Sequence, residues 1–372
     1  IWDKKIKKNL CRVLIVNSGN ANAFTGIAGV KAIKNYAKVA SNLCNCKINE
    51  VFVSSTGVIG EQLNSDLIIK KLNLLKHTSS GNILEAAQAI MTTDTYPKIA
   101  KTIVKYNNNR IRIFGIAKGS GMIAPKMGTM LAYIFIEASI SKVELRKMLK
   151  ENIEGTFNSI SVDGDTSTSD SVMLFSLGNK NKLLKKDSKL IKSISLGVKN
   201  VMRNLSKQIV CDGEGISKLI EVNVINAQTK IQATRIAFSI AESLLIKTAV
   251  FGEDANWGRI IMAIGKVGEK IDQNKIILKI GNFMVAKNGM MLKNINFYDI
   301  CNEHLEYYSL QTLHNLMERH GLSIFDATTN HVNGGSARAR SNAGFSMLPR
   351  CHVVGMASCA SRMRKRFELI QS

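Results

Sequence analysis

The segment that decides the fold and the chemistry of this chain reads Lys118-Gly-Ser-Gly-Met-Ile-Ala-Pro-Lys-Met-Gly-Thr129-Met-Leu-Ala132. It begins as a glycine-rich loop and continues into the apolar run 130–136, which predicts a buried strand. A threonine stands at the junction. The local pattern is also typical of an ordinary loop that enters a strand, so both interpretations stay open on the pattern alone.

A threonine hydroxyl is a weak nucleophile and needs a base to activate it. If the chain cuts itself between Gly128 and Thr129, the freed α-amine of Thr129 can serve as that base. The histidines favour this hypothesis, because only His77 of the six precedes residue 300. A serine–histidine–aspartate triad therefore has almost no candidate base in the first 300 residues.

Several further blocks follow one another in an order that carries a specific resemblance. The chain resembles the ornithine acetyltransferase family, whose members move an acetyl group from N-acetylornithine to glutamate. The blocks are Asn17-Ser-Gly-Asn-Ala-Asn-Ala23, Ser54-Ser-Thr-Gly-Val-Ile-Gly60, Met91-Thr-Thr-Asp-Thr-Tyr-Pro-Lys98, Asn158-Ser-Ile-Ser-Val-Asp-Gly-Asp-Thr-Ser-Thr168, Cys211-Asp-Gly-Glu-Gly215 and Gly252-Glu-Asp-Ala-Asn-Trp-Gly-Arg259.

The resemblance implies an α/β fold: a layered α/β/β/α sandwich with an extra C-terminal α/β fragment. Residues 1–128 correspond to the α-chain part, shortened at its N-terminus, and residues 129–290 to the β-chain part that starts at the nucleophile. Residues 291–372 form a tail of different character.

The resemblance also implies roles for single residues. Thr129 is the nucleophile and the first residue after the cleaved Gly128–Thr129 bond, where relatives mostly have alanine in place of Gly128. Thr56 and Gly57 match the oxyanion pair, although a Ser-Thr-Gly turn after a strand is common. The substrate-binding set is Thr95, Lys118, Thr129 and Glu214; a lone lysine or glutamate is otherwise usually a solvated surface charge.

The activity implied is that of a glutamate N-acetyltransferase of arginine biosynthesis, acting through an acetyl-threonine in a ping-pong mechanism. Its partners are small molecules, N-acetylornithine and glutamate. The family also implies a heterotetramer of two cleaved α and two β chains. No cofactor and no metal are expected, and whether acetyl-CoA is a second donor stays open.

The net charge of +23 raises the alternative of a basic nucleic-acid-binding protein. The lysines are spread among asparagine and isoleucine without a stripe of aromatic and basic residues, so we expect no nucleic-acid partner. No apolar run is long enough to span a bilayer and no signal peptide is visible. With seven scattered cysteines, these features predict a cytoplasmic protein with reduced thiols.

Two loops could be mistaken for ligand sites. Asp163, Asp165, Thr166 and Thr168 could suggest a cation loop, but the distal glutamate is missing, so we predict a turn held by aspartate hydrogen bonds. The block from Gly252 to Arg259 lacks the Gly-Lys-Ser/Thr ending of a phosphate loop. We interpret it as a structural turn with Trp257 in the core.

The tail resembles the C-terminal half of sugar C-methyltransferases, with Glu303 and His304 matching an acid–base pair and Cys301 standing where a tyrosine is usual. A methyltransferase fragment is therefore a further alternative. The glycine-rich cofactor domain that must precede such a half is missing, so we expect the tail to pack poorly and to transfer no methyl group.

Hydrophobic periodicity predicts the remaining elements. Strands are expected at 12–16, 51–54, 111–116, 130–136, 220–224 and 275–280. Helices are expected at 30–43, 63–75, 83–91, 190–205 and 234–245, with a further helix that Ser141 and Glu144 open as a capping box.

Overall fold

The computed structural model describes residues 10–76, 81–107, 109–124, 130–178, 187–292, 324–329, 337–341 and 364–371. The chain divides into two compact units, residues 1–216 and 217–372. The first unit contains nearly all of the residues that the sequence predicts to act in catalysis or binding.

A four-stranded sheet forms the centre of the first unit. Its order is β3 (Lys98–Tyr106), β4 (Asn109–Lys118), β5 (Leu131–Ile136) and β6 (Ser171–Ser176). Strands β3, β4 and β5 pair antiparallel, whereas β5 and β6 are parallel. All but one residue of β5 is buried, as expected of a strand covered on both faces. The predicted strand after the glycine-rich loop is confirmed.

One face of this sheet is covered by helices α4 (Lys142–Ile153) and α5 (Ser188–Val210). Ser141 caps α4, because its hydroxyl oxygen accepts the N–H of Glu144 at 3.3 Å. The long helix α5 lies close to the sheet at Gly197, where a Cβ would approach Val104 to 2.7 Å. This helix buries an apolar stripe that includes Ile194, Val198 and Leu205.

The other face of the sheet packs against a second, two-stranded parallel sheet, β1 (Val13–Asn20) and β2 (Val51–Val58), and against α3 (Ile83–Ala89). The rings of Phe52 and Phe175 meet between the two sheets, with their centroids 6.4 Å apart. Helices α1 (Gly26–Leu43) and α2 (Ser65–Leu75) belong to the apolar cluster that β1 and β2 form on their far side. The first unit is therefore an α/β/β/α sandwich, and the predicted fold class is confirmed.

The second unit contains β7 (Leu219–Ile225), β8 (Ile276–Ile280), β9 (Phe283–Lys287), β10 (Met290–Met291) and helices α6 (Lys230–Ala241), α7 (Leu244–Phe251) and α8 (Trp257–Gly265). The prediction of one helix over 234–245 is wrong. The first helix ends at Ala241, and Ser243 caps the second, because its hydroxyl oxygen accepts the N–H of Ile246.

Three strands are described in the tail: β11 (Ile324–Thr329), β12 (Ala337–Ser341) and β13 (Arg364–Gln371). β11 and β12 form a hairpin-like antiparallel pair, and β13 lies between β7 and β8 in the sheet of the second unit. The expectation that the tail packs poorly is therefore wrong for these eight residues of β13. Glu303 and His304 lie outside the described residues.

Candidate active site

The predicted oxyanion pair lies in the last part of β2, where the strand runs very close to β1. Thr56 is only 1% exposed. Gly57 has φ +126°, and a Cβ there would lie 2.3 Å from the carbonyl carbon of Gly19. Only glycine fits this combination of positive φ and close approach. The backbone that presents the Thr56 hydroxyl is thus fixed by a contact that no other residue would allow.

Lys118, the last residue of β4, reaches this threonine from the neighbouring sheet. Its ammonium donates hydrogen bonds to the hydroxyl oxygens of Thr56 at 3.2 Å and Thr92 at 2.7 Å. Burial lowers the pKa of Lys118, while the nearby Asp94 carboxylate opposes that shift. The lysine that the sequence assigns to substrate binding is thus only 2% exposed, and its ammonium is already hydrogen-bonded to two threonines.

Beneath Lys118 lies a buried network of charges centred on Lys98. The Lys98 ammonium pairs with Asp94 and with Asp212, each at 2.6 Å, and its side chain is fully buried. Burial alone would raise the pKa of Asp94, but hydrogen bonds from the Gly119 N–H, Lys98 and the Thr92 N–H together lower it. The Asp94 carboxylate is thereby held in the charged form although its side chain is fully buried.

The same network fixes the predicted substrate residue Thr95. Both its N–H and its hydroxyl donate to the carboxylate of Asp212, the N–H at 3.0 Å. Asp212 follows α5 and precedes Glu214 by two residues. One aspartate thus ties the 91–98 block to the turn that carries the predicted glutamate.

Glu214 is exposed at the edge of this arrangement. Its carboxylate accepts the hydroxyl of Thr93 at 2.6 Å, and its N–H donates to the carbonyl of Ser120 at 2.9 Å. A Cβ at Gly121 would come within 2.7 Å of the Glu214 carboxylate, so the glycine leaves room for it. Being exposed, the carboxylate can also accept a bond from a cationic ligand, as a substrate ammonium would require.

The start of β5 borders the same site. Leu131 lies opposite Lys118 in the pairing of β4 with β5. The N–H of Met130 donates to the Asp170 carboxylate at 2.7 Å, and the N–H of Ser171 donates to the Met130 carbonyl at 3.1 Å. Gly128 and Thr129 lie outside the described residues, but Thr129 is bonded directly to Met130.

Of the predicted site residues, the structure brings together Thr56, Lys118, Thr95 and Glu214 through Thr92, Asp94, Lys98 and Asp212. None of these four connecting residues was predicted from the sequence, although all of them lie in the quoted blocks. Asp170, two residues beyond the block that ends at Thr168, was not predicted either. Apart from Thr92, the signal these residues share is an acidic or basic residue inside an otherwise polar motif, which by itself indicates a surface position.

The structure also describes the two loops that the sequence analysis excluded as ligand sites, 163–168 and 252–259. Asp163 accepts the N–H groups of Met122, Ile123 and Asp165, so the predicted turn held by aspartate hydrogen bonds is confirmed. Residues 252–256 form a turn between α7 and α8, as predicted, whereas Trp257 begins α8 and is only half-buried against the apolar cluster of the second unit. In the described part of the chain, no helix combines the length and apolarity needed to cross a bilayer.

Comparison with known proteins gives one consistent result. The ArgJ family profile matches residues 1–309, which includes the beginning of the tail. The chain is 45% identical over 291 residues to the arginine biosynthesis bifunctional protein ArgJ of Bradyrhizobium diazoefficiens, covering 77% of this chain and 70% of that protein. It is 46% identical over 283 residues to the protein of the same name from Bartonella henselae, covering 75% and 69%.

A crystal structure of the arginine biosynthesis bifunctional protein argJ from Bacillus halodurans is also similar, with 34% identity and a TM-score of 0.43. It covers 47% of this chain and 82% of that one. The family resemblance stated from the sequence is confirmed, and with it the prediction of an acyltransferase enzyme. The chain belongs to the ArgJ family.

Proposed function

We propose that this enzyme of arginine biosynthesis transfers the acetyl group of N2-acetyl-L-ornithine to L-glutamate. The nucleophile is Thr129, released by autocatalytic cleavage of the Gly128–Thr129 bond. The reaction is ping-pong: acetyl-Thr129 forms, ornithine leaves, and glutamate then takes the acetyl group. The same proposal includes acetyl-CoA as a further donor and a heterotetramer of two α and two β chains. It also includes a cytoplasmic location and the absence of a cofactor.

One observation supports this function above the others: the hydrogen bond from Lys118 to Thr56. A hydroxyl whose oxygen already accepts a bond from an ammonium must direct its own hydrogen elsewhere. That hydrogen is then available to an oxyanion, together with the N–H of Gly57. The positive charge of Lys118 further increases the capacity of the hydroxyl to donate, and both side chains are almost fully buried.

The register of the sheet supports placing the nucleophile beside this oxyanion site. Lys118, which contacts Thr56, stands opposite Leu131 in the β4–β5 pairing. Leu131 is two residues after Thr129. A nucleophile that begins β5 would therefore enter the site on the side where Thr56 and Lys118 meet.

The charges around the site suit the two amino-acid substrates. Glu214 is exposed and can accept a bond from an ammonium, which both ornithine and glutamate carry. Lys118 remains a candidate partner for a substrate carboxylate through its third N–H. Its burial and its two threonine contacts indicate that it also acts through Thr56.

The chemistry balances without a further group. The neutral α-amine of Thr129 takes the hydroxyl proton as Oγ1 attacks the acetyl carbonyl carbon, and the oxygen that becomes negative is held by Thr56 and Gly57. The C–N bond to ornithine then breaks, and the amine returns its proton to the leaving nitrogen. Glutamate reverses these steps through its own amine.

Mass spectrometry of the half-reaction tests this function. The protein is mixed with N-acetylornithine in the absence of glutamate, and the fragment that begins at Thr129 should gain one acetyl group. Adding glutamate should remove it. The Thr129→Ser variant, which keeps the hydroxyl, is the matched control. An acetyl group found only on other residues, or turnover that requires both substrates bound together, would contradict the proposal.

A further inference from the structure

Self-cleavage raises a chemical difficulty that the transfer reaction does not have. The α-amine of Thr129 can act as a base only after cleavage, because before cleavage its nitrogen is part of the Gly128–Thr129 peptide bond. The first attack of the Thr129 hydroxyl therefore needs a different proton acceptor. Such an acceptor is needed only if the chain cuts itself, so its assignment rests on the proposed function.

The carboxylate of Asp170 contacts the backbone next to the Gly128–Thr129 bond. Its Oδ1 accepts the N–H of Met130 at 2.7 Å, and Met130 follows Thr129 directly. Its Oδ2 is buried and has no hydrogen-bond partner among the described residues. A buried carboxylate oxygen without a donor is costly, which indicates a role for it beyond holding the strand.

The other carboxylates of the site are already engaged. Asp94 and Asp212 pair with Lys98, and Glu214 accepts the hydroxyl of Thr93. Within the described part of the chain, Asp170 makes no ion pair of this kind, although the charge of Lys118 acts on it from the end of β4.

Burial raises the pKa of Asp170 to about 6, with the Met130 N–H and Lys118 acting in the opposite direction. At neutral pH the carboxylate is thus ionised, yet more basic than an ordinary aspartate. A general base works best when its pKa lies near the operating pH.

We propose that Asp170 is the general base of the self-cleavage step. Its Oδ2 takes the proton from the Thr129 hydroxyl as Oγ1 attacks the carbonyl carbon of Gly128. The C–N bond breaks, and the protonated Asp170 passes its proton to the leaving nitrogen of Thr129. The ester between Gly128 and Thr129 Oγ1 is then hydrolysed by water, which gives a carboxylate on Gly128 and restores the hydroxyl.

The cleavage rate of the full chain tests this role. The uncut chain is isolated in urea, refolded by dilution at pH 5 to 8.5, and the cut fraction is followed by intact mass. In the wild type the rate should rise through pH about 6 and then level off, as Asp170 ionises. Asp170→Asn keeps an acceptor for Met130 but cannot take a proton, so cleavage should slow by about 100-fold or more and lose this pH step.

Two variants separate base catalysis from structural support. Asp170→Glu restores a carboxylate and should recover cleavage above the Asp170→Asn level. Asp163→Asn lies in the same polar loop, and it should keep the pH step because Asp163 bonds to Met122 and Ile123 instead. Wild-type kinetics in Asp170→Asn, or equal defects in the Asn and Glu variants, would overturn the proposal.

Thermal unfolding gives a readout that does not depend on activity. An unfolded aspartate has a pKa of about 3.9, whereas burial raises that of folded Asp170 to about 6. The folded state therefore binds more protons between these values, and stability falls as pH rises through this window. Asp170→Asn should lack this fall, relative to the wild type.

The outcomes also separate this role from the proposed function. If the wild type and Asp170→Asn cleave themselves at the same rate, only the role of Asp170 is contradicted. If the folded wild type never cleaves itself, the proposed self-cleavage is contradicted, and so is the role of Asp170 as its base.

Discussion

The two ends of strand β4 hold cations in opposite ways. Near its beginning, Arg112 pairs with Glu137 at 2.6 Å, with side chains 69% and 33% exposed. At its far end, Lys118 is buried beside Lys98, whose pairs with Asp94 and Asp212 are also 2.6 Å long. The ion-pair distances are equal, but only the second end borders the candidate site.

Burial, rather than distance, distinguishes these two ends. Water screens the exposed pair, so it contributes little to stability. Each charge of the buried network has lost its hydration and depends on its partners, so removing one is costly. The buried end can also hold Thr56, Thr92 and Thr95 in fixed positions, which an exposed pair cannot do.

The largest effect is expected from Lys98→Met. The substitution removes the cation that the buried carboxylates of Asp94 and Asp212 share and leaves only Lys118, 3.9 Å from Asp94, near them. This loss should lower the free energy of unfolding by about 3–5 kcal/mol. Denaturant unfolding measures this change. Lys101→Met, an exposed position three residues along the same strand, is the control and should unfold like the wild type. Equal stability of both variants would show that the buried network is not a stabilising unit.

The next largest effect concerns turnover. Thr56→Ala should lower kcat by about 100- to 1,000-fold, because one oxyanion donor is lost, and should change KM little. Thr56→Ser keeps the hydroxyl and should stay near the wild type. Steady-state kinetics on the cleaved enzyme provide the measurement, since cleavage itself can also slow. A raised KM with unchanged kcat would identify Thr56 as a binding residue instead.

Lys118→Met tests how the buried lysine acts. If it works through Thr56, kcat should fall by about 10- to 100-fold, the range for a hydrogen bond from a charged group. In the Thr56→Ala background the same change should add little, because both alter one interaction. Additive losses, with KM raised by Lys118→Met alone, would favour direct binding of a substrate carboxylate.

The smallest effect is expected at the exposed end of β4. Arg112→Ala removes the partner of Glu137, yet its exposed position predicts no resolvable change in melting temperature or turnover. Differential scanning calorimetry at low and high salt is the measurement. A clear loss of stability here would contradict the contrast between the two ends.

The sequence predicts the framework of this molecule well where a local pattern is strong. The apolar run of β5 and the Ser141 cap are local signals, and the motif that contains Thr56 and Gly57 forms the last part of β2. The strand β3 was not predicted, because its inward-facing Lys98 breaks the usual alternation of apolar and polar residues. The break at Ser243 was missed because apolar residues continue on both sides of it.

The site could be predicted only in part, for a physical reason. The partners Lys98 and Asp212 are 114 residues apart, and no local pattern distinguishes a buried ion pair from two surface charges. The same holds for Asp170, whose proposed role depends on the backbone N–H of Met130, 40 residues away and just before β5. Such residues become visible only when the sheet brings their segments together.

The most direct test of the central claim is the intact mass of the protein after expression and folding. We predict two chains, one ending at Gly128 and one beginning at Thr129, and a single uncut chain for Thr129→Ala. A folded wild-type protein that remains one chain for days, or that is cut at a different bond, would contradict the account.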